Sequence, residues 1–413
     1  MPLIKPFCGL RPPNWQAEAV IAPPYDVMNV AEARQMVEGR FWSFLHVSRP
    51  EVDMPDGTDP YAPEVYVKAA EKLASMRSAG ILEVDPQPCL YVYRIWMDSH
   101  VQTGLVAAAS VEAYDQGRIK RHEFTRPAKE EDRIRNIDAL NAQTGPVLLA
   151  YPSEDSLDEM LATVAEGFPD INAIAPDGSN HQLWVVSDKA KQEQLLRAFE
   201  ALPSLYVADG HHRSAAASRV AAERRAANPE HTGDEPYNYF LTVIFPHREM
   251  RILDYNRVVR DLNGLDKQAF LEKVAERFAV TPSGEKLKPG QRGEFGMYLQ
   301  GQWYRLTLNA MHIPEDDPVK RLDASLLADN LIEPILGISD PRRDERIDFV
   351  GGIRGLEGLE ARVDSGEMQV AFALFPTAME DLMAVADAGE VMPPKSTWFE
   401  PKLVDGLVSH QLD

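Results

Sequence analysis

The chain has 413 residues, enough for two or three domains with their own cores. Hydrophobic residues at 44% and charged residues at 26% describe an ordinary globular composition, and 43 Lys+Arg against 64 Asp+Glu leave a formal charge of −21. That charge argues against nonspecific nucleic-acid binding, which depends on neutralising phosphates. Cys8 and Cys89 stand far apart without a CxxC partner, so no cysteine-built metal site or disulfide framework is expected. No apolar run is long enough to span a bilayer, and the start lacks a basic segment followed by an apolar one. A cytoplasmic protein with no membrane and no nucleic-acid partner is expected.

In chain order, Ile21 to Asp26 must be extended, because each proline restricts the residue before it. Asp26 to Gly39 reads as a helix capped by Asp26 or Asn29. Phe41 to Val47 reads as a buried strand, and Val65 to Ala79 as a helix ended by Gly80. Leu90 to Met97 and Thr103 to Val111 read as a β-ribbon. Arg133 to Ala142 continues a charged stretch as a helix, and Thr144-Gly-Pro leads into a strand, Val147 to Tyr151. Helices are expected at Leu157 to Phe168 and Ala190 to Phe199, with a strand at Gln182 to Val186. Leu205 to Ala208 reads as a strand, Ser214 to Ala227 as an alanine-rich helix, and Tyr239 to Phe245 as a strand. Beyond these, Lys267 to Phe278 is helical, Glu294 to Leu299 and Gln302 to Leu308 are strands, and Val319 to Leu336 is helical up to Pro334. The remainder alternates: strand Arg346 to Val350, helix Ile353 to Val363, strand Met368 to Leu374, helix Met379 to Ala388. Helices mixed with antiparallel ribbons predict an α+β or mixed α/β protein. Three portions are expected: 1–150 with a basic stretch at 118–133, 151–260 with a strand–turn–helix, and a C-terminal 261–413.

The strongest chemical signal is Asp209-Gly-His-His-Arg213, between the strand and the helix that begins at Ser214. A helix start collects free backbone N–H groups and the positive end of the helix dipole. His211, His212 and Arg213 added there make a site for an anion, most naturally phosphate. The rival reading is a metal site, but neighbouring histidines on one turn converge poorly on one ion. The plain alternative is a turn whose side chains pair on the surface.

This run resembles the signature of the ParB/sulfiredoxin superfamily, in which a strand–turn–helix cradles nucleotide phosphates. The variant it is most similar to is that of the free serine kinases, which carry Asp-Gly-His-His-Arg as it stands at 209–213. Sulfiredoxin has a reactive cysteine where this chain has His211, so thiol repair is excluded. The whole chain also resembles a large uncharacterised prokaryotic family. The matching segments are Lys5-Pro-Phe, Gly9-Leu-Arg-Pro12, Ala22 to Val27, Lys120 to Arg126, Thr144 to Val147, Asp209 to Arg213, Asp254 to Arg257, Asp348 to Gly352 and Pro393 to Lys402. The resemblance implies a ParB/sulfiredoxin-like nucleotide-binding core with additional α/β portions.

Lys120-Arg-His-Glu-Phe-Thr-Arg126, with Lys129 and Arg133, is the second candidate; its plain reading is a solvated charged face. Its functional reading has Lys120 and Arg126 on phosphates and Glu123 as a carboxylate base toward an alcohol. The free serine kinases imply such a glutamate upstream of the motif; Asp26 and Asp132 are alternatives. Tyr25 and Asp26 could reach a substrate ammonium, although capping is the plainer use of Asp26. Lys395 to Thr397 could line a pocket, or the segment could dock by burying Trp398 and Phe399. Phe349 to Gly355 lacks the glycine spacing of a dinucleotide or P-loop site and reads as a tight turn.

The combined expectation is a small-molecule kinase that moves a phosphoryl group from ATP or ADP, with Mg²⁺, to an alcohol such as free L-serine. Glu123, Asp209 and His211 are its catalytic candidates. Gly210, His212, Arg213, Ser214, Lys120 and Arg126 would hold the nucleotide phosphates. Asp26, Thr144 and Lys395 would meet the substrate, and Asp209 would hold the metal. The alternatives are a nucleotide-dependent regulatory module of the ParB kind and a nucleotide hydrolase; a homodimer is admissible in each case.

Overall fold

The structure is a computed structural model, and it describes residues 1–314 and 316–413. It is a mixed α/β protein of two compact units: residues 1–250 with 401–413, and residues 251–400. One sheet of the first unit takes strands from both the 1–150 and the 151–260 portions.

In that first unit the main sheet runs Ile119–Lys120, Leu205–Asp209, Val147–Tyr151, Tyr239–Pro246, His100–Ser110, Leu90–Met97, Asn180–Val186, Ile171–Ile174, with Ile4–Lys5 also paired to His100–Ser110. Its middle strands are covered on both faces and read as continuous apolar runs; all of Tyr239–Pro246 is buried. The outer Ile171–Ile174 alternates buried and exposed, and so short an alternation escaped the sequence reading. The expected ribbon is there, turned at Asp98 with φ 54°, as a two-residue hairpin connection requires. A small second sheet joins Glu83–Val84, Gly9–Arg11, Ser409–Gln411 and Ala142–Gln143, so the end of the chain returns to the first unit.

The helix expected over Arg133 to Ala142 is Pro127–Leu140, with Ala142 in a strand, and the one expected to reach Phe168 ends at Val164; three further elements differ in this unit. The helix expected from Asp26 is Val30–Val37, capped by Asn29 in a reciprocal box with Glu32. Phe41 to Val47 is no strand: Leu45–Ser48 forms a helical turn, and Phe41 is exposed. The run lacks alternation, so Phe44, Leu45 and Val47 bury together in one turn while Val47 and Ser48 donate locally to the Phe44 carbonyl. The alanine-rich helix starts at His211 and not Ser214, so His211, His212 and Arg213 are its first turn.

The second unit holds a six-stranded antiparallel sheet in the order Phe278–Ser283, Gln302–Leu308, Glu294–Leu299, Val370–Ala373, Tyr255–Val259, Ile347–Gly351. The helix expected to stop at Phe278 ends at Ala275, and Phe278 opens a strand. The helix expected over Val319 to Pro334 begins at Asp323, widens into a π-helical stretch over Ala328–Ile332, and passes Pro334 to Leu336. Pro334 brings no N–H to the helical ladder, and a widened turn before it absorbs the mismatch.

Candidate functional site

Strand order explains why distant motifs meet. Leu205–Asp209 pairs in parallel with Ile119–Lys120 on one side and antiparallel with Val147–Tyr151 on the other. Residues following Lys120 therefore leave the sheet at the end where Asp209 leaves it. Residues preceding Val147, namely Thr144 to Pro146, arrive at that same end. The helix Pro127–Leu140 then lies on His211–Ala227, with Ile134 and Ile137 buried against Ala216 and Val220. The tail adds a further strand of contact: Ala22 and Asp405 exchange backbone hydrogen bonds of 3.1 and 2.9 Å. Five segments thus converge: 22–26, 120–133, 144–147, 209–214 and 402–405.

The turn itself rests on Gly210, whose φ of 99° is costly for any residue with a side chain. A Cβ there would stand 3.1 Å from Arg213 Nε and 3.3 Å from the Val147 backbone. The Gly210 N–H donates to Asp209 Oδ1 at 2.8 Å. Gly210 supplies no side-chain cap, which leaves the N–H groups of the helix's first turn open to an acceptor. Ser214 is fully buried, and its hydroxyl donates to the Gly210 and His211 carbonyls.

Arg213 is half-buried beside the turn. It donates to the Pro146 carbonyl and lies 3.8 Å from Asp209 Oδ2. Lys402 Nζ approaches that same Asp209 oxygen at 3.8 Å. Burial alone would raise the Asp209 carboxyl, but Lys402, Arg213 and the Gly210 N–H hold it down to about 2, so it is an anion at neutral pH.

His212 is half-buried, and its Nε2 accepts a 3.0 Å hydrogen bond from the Arg126 backbone N–H. That bond, with burial lowering the ring's affinity for a proton, makes His212 a neutral imidazole with its N–H on Nδ1. His211 is more deeply buried; its Nδ1 lies 3.7 Å from Glu123 Oε2, and its Nε2 has no hydrogen-bond partner. Burial pushes its proton affinity well down, with His122 adding to the effect. Glu123 is half-exposed, and Lys120 lies 5.8 Å from the Tyr206 ring centroid.

Beside the cradle lies a small cavity of about 30 Å³, lined by Tyr25, Arg133, Thr144, Gly145, Arg213 and Asp405 among others. Arg133 stacks on Tyr25, its guanidinium 3.9 Å from the ring centroid, and pairs with Asp132 at 2.8 Å. Burial raises the Asp405 carboxyl to about 7, against the pull of Arg213 and Arg133. Asp26 is exposed and stands within electrostatic reach of Arg213 and Asp405. Lys395 belongs to the second unit, where its ammonium lies 5.6 Å from the Tyr255 ring centroid.

The sequence candidates from 120 to 126, 144 and 209 to 214 therefore share one end of one sheet. Three residues of the site were not singled out: His122, hidden in a charged run, and Lys402 and Asp405, carried back by the tail. Lys402 ends the Pro393 to Lys402 segment, the signal that could have marked it.

The family described as a protein of unknown function, DUF1015, matches residues 4–325. The chain belongs to that family. No curated protein matches it. Among solved structures it is similar to a conserved hypothetical protein from Pyrococcus furiosus, at 15% identity, covering 73% of this chain and 93% of that one with a TM-score of 0.34. It is also similar to a free serine kinase mutant in complex with AMP, at 15% identity, 71% and 87% coverage and a TM-score of 0.36. SbnI with a C-terminal truncation, from Staphylococcus aureus, gives 11% identity, 73% and 85% coverage and a TM-score of 0.36.

Proposed function

We propose that this DUF1015 member is a small-molecule kinase that moves a phosphoryl group from ATP or ADP to an alcohol such as free L-serine. The observation that carries the reading is the bond from the Arg126 N–H to His212 Nε2, which closes the Glu123 segment over the open start of the His211–Ala227 helix. A carboxylate is thereby held beside an anion cradle, the pairing that phosphoryl transfer to a hydroxyl requires.

In this reading the first-turn N–H groups, the Nδ1–H of His212 and the Arg213 guanidinium hold phosphate oxygens, Gly210 gives the phosphate close approach to the turn, and Lys120 and Arg126 complete the positive charge. Glu123 takes the proton of the acceptor hydroxyl. Buried Ser214 fixes the turn from behind through its two carbonyl bonds. Thr144, on the cavity wall, and the exposed Asp26 face the acceptor. Mg²⁺ commonly takes one or two carboxylates together with substrate phosphates, and anionic Asp209 fits as such a ligand. The ion would supply charge neutralisation for the phosphoryl group.

The test is to incubate the purified chain with ATP or ADP, Mg²⁺ and L-serine and to follow phosphoserine by mass spectrometry. Phosphoserine that disappears in Glu123→Gln supports the reading. No phosphorylated product from any hydroxyl acceptor, from a chain that binds the nucleotide, overturns it. Phosphate release without added alcohol would mark a hydrolase instead.

A further inference from the structure

A second cluster sits under the cradle. His122 and His211 are both buried, and their rings meet edge to face with centroids 4.5 Å apart and an interplanar angle of 86°. Each presents a buried ring nitrogen with no hydrogen-bond partner: Nδ1 of His122 and Nε2 of His211. Buried imidazole nitrogens are normally satisfied, so two orphans in one contact call for an occupant. One nitrogen from each ring and a carboxylate oxygen of Glu123 all lie within 4.8 Å of one another. Among the described residues, no other three His, Cys, Asp or Glu side chains bring ligand atoms so close.

We infer that His122, Glu123 and His211 form a binding site for one divalent transition-metal cation, with coordination positions left open to a small ligand. Two imidazoles and one carboxylate are a donor set suited to zinc, iron, cobalt or manganese, and harder all-oxygen cages suit Mg²⁺ or Ca²⁺. His122 is buried and presents Nδ1 as a bare nitrogen. Bonds of ~2.1 Å around one ion need ligand atoms somewhat closer than they stand, and the half-exposed Glu123 side chain can rotate to close the gap. Coordination and proton abstraction use the same carboxylate lone pairs, so Glu123 serves one of them at a time.

The test uses the full chain stripped with EDTA and titrated with Co²⁺, read by visible d–d absorption and by calorimetry, with Mg²⁺ as the control. One saturable Co²⁺ site with a ligand-field band, weakened ~10-fold or more in Glu123→Gln and in His122→Gln, is expected. Glu123 is half-exposed, so its variant tests the site even where a histidine variant fails to fold. No saturable Co²⁺ binding, equal preference for Mg²⁺, or an unchanged affinity in Glu123→Gln overturns the inference. None of these readouts depends on phosphoryl transfer: a serine kinase that binds no Co²⁺ sinks this inference alone.

Discussion

The Arg126 backbone N–H donates to Nε2 of His212 across 3.0 Å, joining residues 86 positions apart in the chain. The bond has two consequences. It ties the segment carrying Glu123 to the first turn of the His211–Ala227 helix. It also decides which His212 nitrogen carries the proton, so in the proposed kinase this histidine meets a phosphate as a neutral donor and not as a cation.

His212→Ala is therefore expected to weaken nucleotide binding by about tenfold, the value of one neutral hydrogen bond of roughly 1–1.5 kcal/mol. Isothermal titration with ADP and ATP measures it. An unchanged dissociation constant removes His212 from the phosphate site.

Glu123→Gln keeps the shape of the side chain and removes its basicity. Turnover of L-serine is expected to fall by about 10²–10⁴-fold while the nucleotide dissociation constant stays the same. A matching loss in both quantities would mean that Glu123 shapes the cradle and does not act on the acceptor.

The strand–turn–helix around Gly210 was legible because its cues are local. Asp209-Gly210 breaks an apolar run, the alanine-rich stretch after it can only be a helix, and Gly210 at φ 99° is the residue such a turn demands. The setting of the cradle was not legible, because it depends on pairings between distant segments. Nothing near Lys120 announces that Ile119–Lys120 lies parallel to Leu205–Asp209. Nothing near Asp405 announces its backbone pairing with Ala22. His122 was lost for a related reason: a charged run reads as solvated, yet this one residue turns inward beneath its exposed neighbours Arg121 and Glu123. Phe41 to Val47 failed on period, since a short apolar run does not separate a strand from a buried turn.

Gly210→Ala places a methyl group on a backbone with φ of 99°, 3.1 Å from Arg213 Nε and 3.3 Å from Val147 Cα. The left-handed conformation alone costs roughly 1–2 kcal/mol for an L-residue. A fall in chemical-denaturation stability of that size is expected, with a weaker nucleotide site because Arg213 must shift. Full retention of both properties would show that the turn tolerates a side chain and that its geometry is not what shapes the cradle.

Asp405 sets a pH dependence of its own. Burial lifts its carboxyl to about 7 in the native chain, from an ordinary value of 3.8. Between those values the native state holds a proton that the unfolded state has released, so stability falls as pH rises across the window. The contribution is complete below the ordinary carboxylate value and is lost once pH passes the native one. Asn at this position keeps the size and the neutral form and cannot titrate. Relative to the wild type, Asp405→Asn is expected to gain stability from about pH 5 to about pH 8, at a rate no steeper than about 1.4 kcal/mol per pH unit. Urea denaturation of both proteins across that range measures the difference. Parallel curves would mean that Arg213 and Arg133 hold Asp405 as an anion throughout, and the cavity they share would then carry its negative charge at acidic pH as well.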